Sequence, residues 1–361
     1  MLSTLDRYII GKYLSTFFFV VLICSLIAMA IDFSDKVQSF IEKPCTVYNI
    51  LIDYYPGFVL DMMGRLMPLY TLIAVVFFTS RLAFNSEILA ILNAGASFGR
   101  ILRPYLIAAS VIAVMHLALA HFIIPKANKS RLWFERSFVW IDKQQVKSGN
   151  IHFLVTPQVK AYIRGYDKNN MRISTLRLQK FSGNRVESIL ETDNAIWKED
   201  LQKWRFTNYS VRTFDGLREH YQRFTVPLDT TLNMSPTDFI FYHNQNEEMT
   251  SPALLEAIAR DKTRGFANTK QYTIEWYRRT ADACTTIVLT VIGFAVAGRK
   301  VRGGMGLHLA IGIGIGAIFI LLSKFSVSFS ASGSIPIGVG MWIPNMIFTV
   351  VALFLSSRAQ K

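Results

Sequence analysis

The residue types that could perform chemistry are few and scattered in this chain. No GxxxxGK[ST] loop is present, since Gly11-Lys12 lacks the upstream glycine and the following Ser or Thr that would hold nucleotide phosphates. HExxH is also absent, and the six histidines and three cysteines show no spacing typical of metal ligands. The sequence therefore predicts no catalytic residue, no metal site and no cofactor.

Charged residues inside long apolar runs are the next candidates. Asp61, Arg65 and Asp282 are too few to form the catalytic constellation of an intramembrane enzyme. Asp61 and Arg65 are four residues apart, so on a helix they are neighbours and are predicted to form a local ion pair. Lys324 follows an apolar run, where its ammonium group could simply extend to the membrane interface.

Six apolar runs must position these residues. Hydrophobic residues make up 51% of the 361 residues and charged residues only 18%. Several runs approach the roughly 20 residues that a helix needs to cross a bilayer. We predict an α-helical polytopic membrane protein with six transmembrane helices, which cover residues 13–31, 57–79, 102–124, 281–298, 305–323 and 340–357.

The middle of the chain has a different pattern. Between Pro125 and Arg279, short runs of alternating polar and apolar residues are separated by turn signals such as Ser182-Gly183-Asn184, which indicates antiparallel strands. A helix is predicted over 252–264, with Ser251 as its N-cap. We predict an all-β, jelly-roll-like domain at 125–279, inserted between the transmembrane regions 1–124 and 280–361.

The orientation follows from the basic residues in short loops, because cytoplasmic flanks accumulate Lys and Arg. Four clusters fall on one side of the predicted helices, so both termini are expected in the cytoplasm and the β domain outside. The net charge of +14 is assigned to this orientation and to anionic membrane lipid, since no dense basic run suggests nucleic acid. The clusters are Arg7 and Lys12; Arg81, Arg100 and Arg103; Arg299, Lys300 and Arg302; Arg358 and Lys361.

The cytoplasmic loop between the second and third helices contains a short amphipathic stretch. Residues 86–95 are predicted to form a helix with Glu87 in the first turn and Gly95 as its end. Its apolar residues include Ile88, Leu89 and Leu92. The stretch is either an interfacial helix or a rigid lever that an energising partner could push.

At this loop the sequence resembles a known family. LDRYIIGKY at the N-terminus, SEILAILNAGASFGRILRP after the second helix and YTIEWYRRTADACTTIVLTVIGF before the fourth occur in one order around the strand-rich insert. Together they resemble the LptF/LptG family of lipopolysaccharide export permeases over essentially the whole chain. The LDRYI sequence and the overall length are more similar to LptG than to LptF.

The resemblance implies a function and a set of partners. Family members are non-catalytic permease subunits of an ABC-type exporter in the bacterial inner membrane, with the β-jelly-roll domain in the periplasm. They extract lipopolysaccharide for transport to the outer membrane. The implied partners are an LptF-type permease in a heterodimer, an LptB ATPase dimer and LptC, so hydrolysis of ATP belongs to another chain.

The resemblance also implies roles for individual residues. Residues 86–95 would be the coupling helix, and Glu87, Ile88, Leu89, Leu92 and Gly95 would contact the ATPase. Lipopolysaccharide phosphates would bind basic residues near headgroup height, namely Lys36, Lys43, Arg65, Arg131, Arg136, Arg278 and Lys324. Gly312 and Gly316 form a GxxxG step that serves either a subunit interface or packing within the chain.

Two other classes of function stay open at this point. A membrane-anchored sensor or assembly scaffold would need no coupling helix. An enzyme acting on lipid would need more polar residues within the helices than the sequence provides.

Overall fold

A computed structural model describes residues 3–43, 45–139, 150–239, 244–265, 269–298 and 304–359. Six helical segments in these ranges are long and apolar enough to cross a membrane, which confirms the predicted polytopic architecture. Antiparallel strands lie between the third and fourth segments, as predicted. The basic residues 299, 300, 302 and 361, used above for orientation, lie outside the described residues.

The first half of the chain forms three long helical segments, and a short helix lies between the second and the third. Helix α1 spans Thr4–Glu42. The second segment consists of α2 (Val47–Asn49), a π-helical turn (Ile50–Tyr54) and α3 (Tyr55–Phe84). After α4 (Glu87–Asn93), the third segment consists of α5 (Phe98–Ala118), a π turn (Leu119–Ile123), α6 (Ile124–Phe134) and a second π turn (Glu135–Val139).

The helices of the second half follow the strands. They are α7 (Ser251–Arg264), α8 (Thr269–Ala297), α9 (Gly304–Ser332) and α10 (Ile337–Ala359). Helix α7 covers the whole predicted range 252–264 and begins one residue earlier.

The helices extend well beyond their apolar centres. Helix α1 was expected at 13–31 but begins at Thr4, where Ser3 and Asp6 form a reciprocal capping box. The third segment was expected to end before Pro125, yet it continues to Val139. Pro125 occupies the first turn of α6, directly after the π turn, where its missing N–H costs little. Hydropathy therefore located the helices, whereas the capping box of α1 and the π turn before Pro125 allow them to extend beyond their apolar centres.

Helix α3 lies at the centre of the helical core. Met67, Leu72, Val75 and Val76 on this helix are completely buried. A Cβ atom added to Gly293 of α8 would lie 2.3 Å from Val75 Cγ1, so α8 approaches α3 closely. The absence of a side chain at Gly293 is therefore required for this packing.

Helices α1 and α9 each leave a large apolar face exposed. Leu22 and Leu26 of α1 are exposed, as are Ile318 and Leu321 of α9. A chain that spans a membrane presents such faces to lipid or to other membrane helices.

The strands form two antiparallel sheets. One sheet contains β1 (Ile151–Thr156), β2 (Val159–Ile163), β5 (Leu176–Ser182), β6 (Arg185–Thr192), β9 (Tyr209–Asp215) and β10 (Arg218–Phe224), in that order. The other has the order β11-β8-β7-β4-β3, with β3 Tyr166–Asp167, β4 Arg172–Ile173, β7 Ala195–Lys198, β8 Lys203–Phe206 and β11 Leu228–Thr230. The chain therefore alternates between the sheets after every second strand, up to the last strand β11.

The strand core is built around one tryptophan. Trp204 is completely buried, and its Nε1 donates a hydrogen bond to the Met234 carbonyl at 2.9 Å. It pairs with Trp197 across the β7–β8 hairpin. The ring of Phe239 lies 6.0 Å from the Trp204 ring, centroid to centroid.

The described residues form two compact units. One comprises those of Met1–Val139, Asn246–Ser251 and Thr273–Lys361, and the other those of Trp140–Gln245 and Pro252–Tyr272. These boundaries differ from the predicted ones at 125 and 279. The reason is that helix continues past Pro125 to Val139, and that residues 246–251 pack with the membrane helices.

Candidate functional site: a cation-lined cleft among the membrane helices

Helices α3, α8 and α9 line an open cleft of about 230 Å³. Its apolar residues are Met62, Leu66, Leu69, Leu289, Phe319, Ile320 and Val327. Three cations, Arg65, Arg278 and Lys324, and one acid, Asp282, also line it. The cleft thus combines a hydrocarbon-like surface with an excess of positive charge, a combination that suits an amphiphile with an anionic headgroup.

The three cations differ in how far their charge is already neutralised. Arg65 pairs with Asp61 at 2.8 Å and with Glu247 at 2.6 Å, and Arg278 pairs with Glu275 at 2.7 Å. Lys324 is exposed and has no ion pair within the described residues. Asp282, which also lines the cleft, interacts with this charge electrostatically but forms no ion pair with it among the described residues, so Lys324 is less neutralised than the two arginines.

A buried ion network lies beside the cleft. The Asp61 carboxylate accepts hydrogen bonds from Arg65 Nε (2.8 Å), Arg131 Nη1 (2.9 Å) and Asn128 Nδ2 (2.9 Å). The predicted ion pair between Asp61 and Arg65 is therefore confirmed. Glu247 accepts from the same two arginines, at 2.6 Å from Arg65 and 3.4 Å from Arg131. The ion network therefore links α3, α6 and the segment 246–251 through hydrogen-bonded ion pairs.

Arg279 fixes the segment 246–251 to helix α8. Its Nη2 donates to the carbonyls of Met249 (3.0 Å) and Asn246 (3.3 Å), and its Nη1 donates to Ser251 Oγ (3.1 Å). Its Nε donates to Glu275 at 3.0 Å, one helical turn before it. Backbone carbonyls of an irregular segment are thus satisfied by a buried guanidinium.

A small polar cavity of about 40 Å³ adjoins this network. His116, Asn128 and Asp282 are among its lining residues. His116 Nδ1 and Asn128 Oδ1 are buried without a hydrogen-bond partner. The volume suffices for one or a few water molecules, which would satisfy these two atoms.

A second cluster contains Lys36 and lies apart from the cleft. Lys36 Nζ lies 2.8 Å from Asp32 and 3.0 Å from Glu135, and it also donates a hydrogen bond to Tyr54 Oη. Tyr54 Oη in turn donates to Asp32 at 2.7 Å. This cation is therefore already matched by two acids.

The structure divides the seven predicted lipopolysaccharide-binding cations among different sites. Arg65, Arg278 and Lys324 line the cleft, whereas Arg131 is buried in the ion network behind it. Lys43 donates to the Val139 carbonyl at 3.5 Å, and Arg136 pairs with Glu248. Lys36 belongs to the second cluster.

The helix predicted over 86–95 is observed as α4, Glu87–Asn93, slightly shorter than predicted. Ile88 is buried against the helical core, whereas Leu89 and Leu92 are exposed. Glu87 accepts hydrogen bonds from Tyr8 Oη and Asn85 Nδ2, both at 3.3 Å. Gly95 follows the helix with a φ of 88°, a conformation that glycine adopts at low cost.

The glycines of α9 pack within the chain. A Cβ atom at Gly312 would lie 3.0 Å from Val76 Cγ2, and one at Gly316 would lie 2.5 Å from Leu69 Cδ1. Both neighbours belong to α3, so this structure agrees with the intramolecular alternative for the GxxxG step. Gly314, between them, has open space.

Residues 95–99 match the GxSxG pattern of serine hydrolases, but their surroundings do not. In those enzymes the serine sits on a sharp turn between a strand and a helix. Here Ser97 is the N-cap of α5, and its side chain accepts a hydrogen bond from the Arg100 backbone N–H at 3.2 Å. The serine therefore has a capping role.

Sequence reasoning missed Glu247 and Asn128 as members of the ion network, and it missed Glu275 as the partner of Arg278 and Arg279. The spacing of Glu275 and Arg279 is that of a helical ion pair and could have been recognised. Glu247 lies in a 3-10 turn (Gln245–Glu248) far along the chain from its partners, and no local pattern indicates its position.

The model of the family described as "Lipopolysaccharide export system permease LptF/LptG" matches residues 7–358, which is nearly the whole chain. No curated protein matches the chain significantly. The family is one of transport subunits rather than enzymes, and the six apolar helices fit a multi-pass protein of the inner membrane. The chain belongs to the LptF/LptG family of lipopolysaccharide export permeases.

Proposed function

We propose that this chain is the LptG-type half of the membrane part of an ABC-type exporter, which extracts lipopolysaccharide from the inner membrane for transport to the outer membrane. Its partners are an LptF-type permease, an LptB ATPase dimer and LptC. The observation that carries the proposal is the cleft between α3, α8 and α9, because it joins three cations to an apolar wall.

Binding is proposed to use both parts of the cleft. Lys324, Arg65 and Arg278 attract the lipid phosphates, and Met62, Leu66 and Phe319 contact the acyl chains. Phosphate accepts charge-assisted hydrogen bonds that are stronger than neutral ones. A volume of about 230 Å³ is small for a glycolipid with several acyl chains, so the partner permease supplies the remaining surface.

Entry and exit are proposed to use different parts of the protein. Lipid enters sideways past the exposed apolar faces of α1 and α9. Closure of the ATPase below, transmitted through α4, narrows the cavity and expels the lipid. The strand-rich unit, proposed to lie in the periplasm, receives it. Both termini are proposed to lie in the cytoplasm, since the basic residues accumulate there.

Affinity purification of the full chain in detergent tests this proposal. Mass spectrometry is expected to identify a second permease, an ATPase and bound lipopolysaccharide. Lys324→Gln is expected to reduce the retained lipid severalfold, because it removes the unpaired cation of the cleft. Lys126→Gln is the matched control, since Lys126 is exposed on α6 and does not line the cleft. Co-purification without ATPase or glycolipid would contradict the proposal and favour a scaffold.

A further inference from the structure

Glu247 places a carboxylate between two arginines beside the proposed binding cleft. One of its oxygens, Oε2, lies 2.6 Å from Arg65 Nη2 and 3.4 Å from Arg131 Nη2. The Glu247 side chain is 8% exposed and that of Arg131 is 6% exposed. Two guanidinium groups that converge on one anionic oxygen form an anion-binding arrangement.

Arg65 connects this arrangement to the cleft. Its side chain lines both the cleft and the small polar cavity, and it is 34% exposed. A group bound in the cleft can therefore reach the same guanidinium that Glu247 occupies. Arg131 keeps unused capacity as well, because its Nε is buried without a hydrogen-bond partner.

A phosphate group fits this site better than a carboxylate does. It carries more negative charge and offers three acceptor oxygens, whereas a carboxylate offers two. Guanidinium groups bind phosphate with two parallel hydrogen bonds. Burial raises the pKa of the Glu247 carboxyl, so desolvation offsets part of the favourable pairing between its charged form and the two arginines.

Glu247 is also the more displaceable of the two acids that share these arginines. Asp61 lies within helix α3 and accepts from three donors. Glu247 lies in a single 3-10 turn, Gln245–Glu248, and its carboxylate contacts the two arginines alone among the described residues. Movement of a short turn disrupts fewer backbone hydrogen bonds than movement of a helix, although it also strains the hydrogen bonds from Arg279 to the carbonyls of Asn246 and Met249.

We propose that Glu247 occupies an anion subsite formed by Arg65 and Arg131, and that a phosphate group of the bound lipid displaces it. This proposal rests on the proposed function, since it assumes a phosphorylated lipid in the cleft. Glu247 then acts as an internal counter-ion that neutralises the arginines while the cleft is empty. When a lipid phosphate displaces Glu247, the segment 246–251 loses its ion pairs with the two arginines. This segment leads directly into α7.

The first test measures affinity in nanodiscs that contain the full chain and its co-purified partners. Glu247→Gln keeps the shape but removes the competing charge, so the affinity for bisphosphorylated lipid A is expected to rise about tenfold. The affinity for lipid A without phosphates is expected to stay unchanged. Glu219→Gln is the control for net charge, because Glu219 lies on the exposed strand β10 and pairs with Arg212 of β9.

The second test uses the wild-type protein, so it does not depend on how the variant folds. Bisphosphorylated lipid A is expected to increase hydrogen–deuterium exchange in residues 244–251, whereas dephosphorylated lipid A and inorganic phosphate leave it unchanged. An equal response to inorganic phosphate would overturn the assignment to a lipid headgroup.

The two proposals fail in different ways. If bisphosphorylated lipid A binds but neither the exchange of residues 244–251 nor the affinity of Glu247→Gln changes, the displacement of Glu247 is wrong and the proposed function stands. If the wild-type protein binds no form of lipid A, both are wrong.

Discussion

Arg100, near the start of α5, donates two hydrogen bonds to Asp6, near the start of α1, at 2.6 Å and 3.1 Å. The Asp6 carboxylate also completes the capping box with Ser3, and its side chain is only 2% exposed. The starts of two membrane helices are thus joined beside α4, the short helix proposed to contact the ATPase.

Loss of Arg100 should destabilise this junction. Arg100→Met leaves the Asp6 carboxylate without its cationic partner, so we expect the protein to lose stability. Thermal unfolding in detergent measures this loss as a lower melting temperature. Arg103→Met is the control, because Arg103 is exposed and no ion pair involves it within the described ranges. Equal melting temperatures for the two variants would contradict the prediction.

Glu87 is expected to couple the permease to its motor. Glu87 is proposed to pair with a basic group of the ATPase, and removal of one partner of a desolvated ion pair costs about 2–5 kcal/mol. We therefore expect Glu87→Ala to abolish export in proteoliposomes while the isolated ATPase still hydrolyses ATP. Tyr8→Phe removes the internal hydrogen bond to Glu87 but keeps the carboxylate, so export should persist in this variant. Unchanged export by Glu87→Ala at wild-type protein levels would count against the prediction.

Gly57 determines how closely α3 approaches α6. A Cβ atom there would lie 2.7 Å from both the Ala127 carbonyl oxygen and Arg131 Cβ. Because the carbonyl belongs to the backbone, Gly57→Ala should force the helices apart and cost about 1–3 kcal/mol. Gly11→Ala is the matched control on α1, where a Cβ atom meets nothing within 4 Å. Similar resistance of both variants to thermal unfolding would show that the contact is not tight.

Trp204 is expected to be the most sensitive residue of the strand core. Trp204→Phe loses buried volume and leaves the Met234 carbonyl without its donor, so a destabilisation of about 2–4 kcal/mol is expected. Trp197→Phe should cost less, because Trp197 is only half-buried. Limited proteolysis under increasing urea compares the two variants. A smaller effect at Trp204 than at Trp197 would refute this ranking.

The sequence predicted the helices because their apolar centres are long and uninterrupted. The prediction that the third helix ends before Pro125 was wrong. A π turn precedes this proline and accommodates its missing hydrogen bond, so the helix continues. Strand boundaries are harder to predict. Residues 203–214 contain no proline or glycine, yet the chain passes from one sheet to the other at Asn208, whose φ is 57°. Backbone turns of this kind depend on tertiary packing rather than on residue type alone.

The sequence identified individual cations of the site as candidates, but it could not predict that they line one cleft. Arg65 and Lys324 stood out because they occur in or beside apolar runs, yet only the packing of α3, α8 and α9 brings them to one cleft. The pairing of Arg65 with Glu247 joins residues 182 positions apart. Helical periodicity relates residues three or four positions apart, so it could predict the partner Asp61 but not Glu247.

Photo-crosslinking from inside the cleft tests the central claim most directly. Benzoylphenylalanine at position 320, which lines the cleft, is expected to crosslink to lipopolysaccharide in living cells. The same group at position 350, exposed on α10 outside the cleft, should give little or no such product. Equal crosslinking at both positions, or none at position 320, would contradict lipid binding in the cleft.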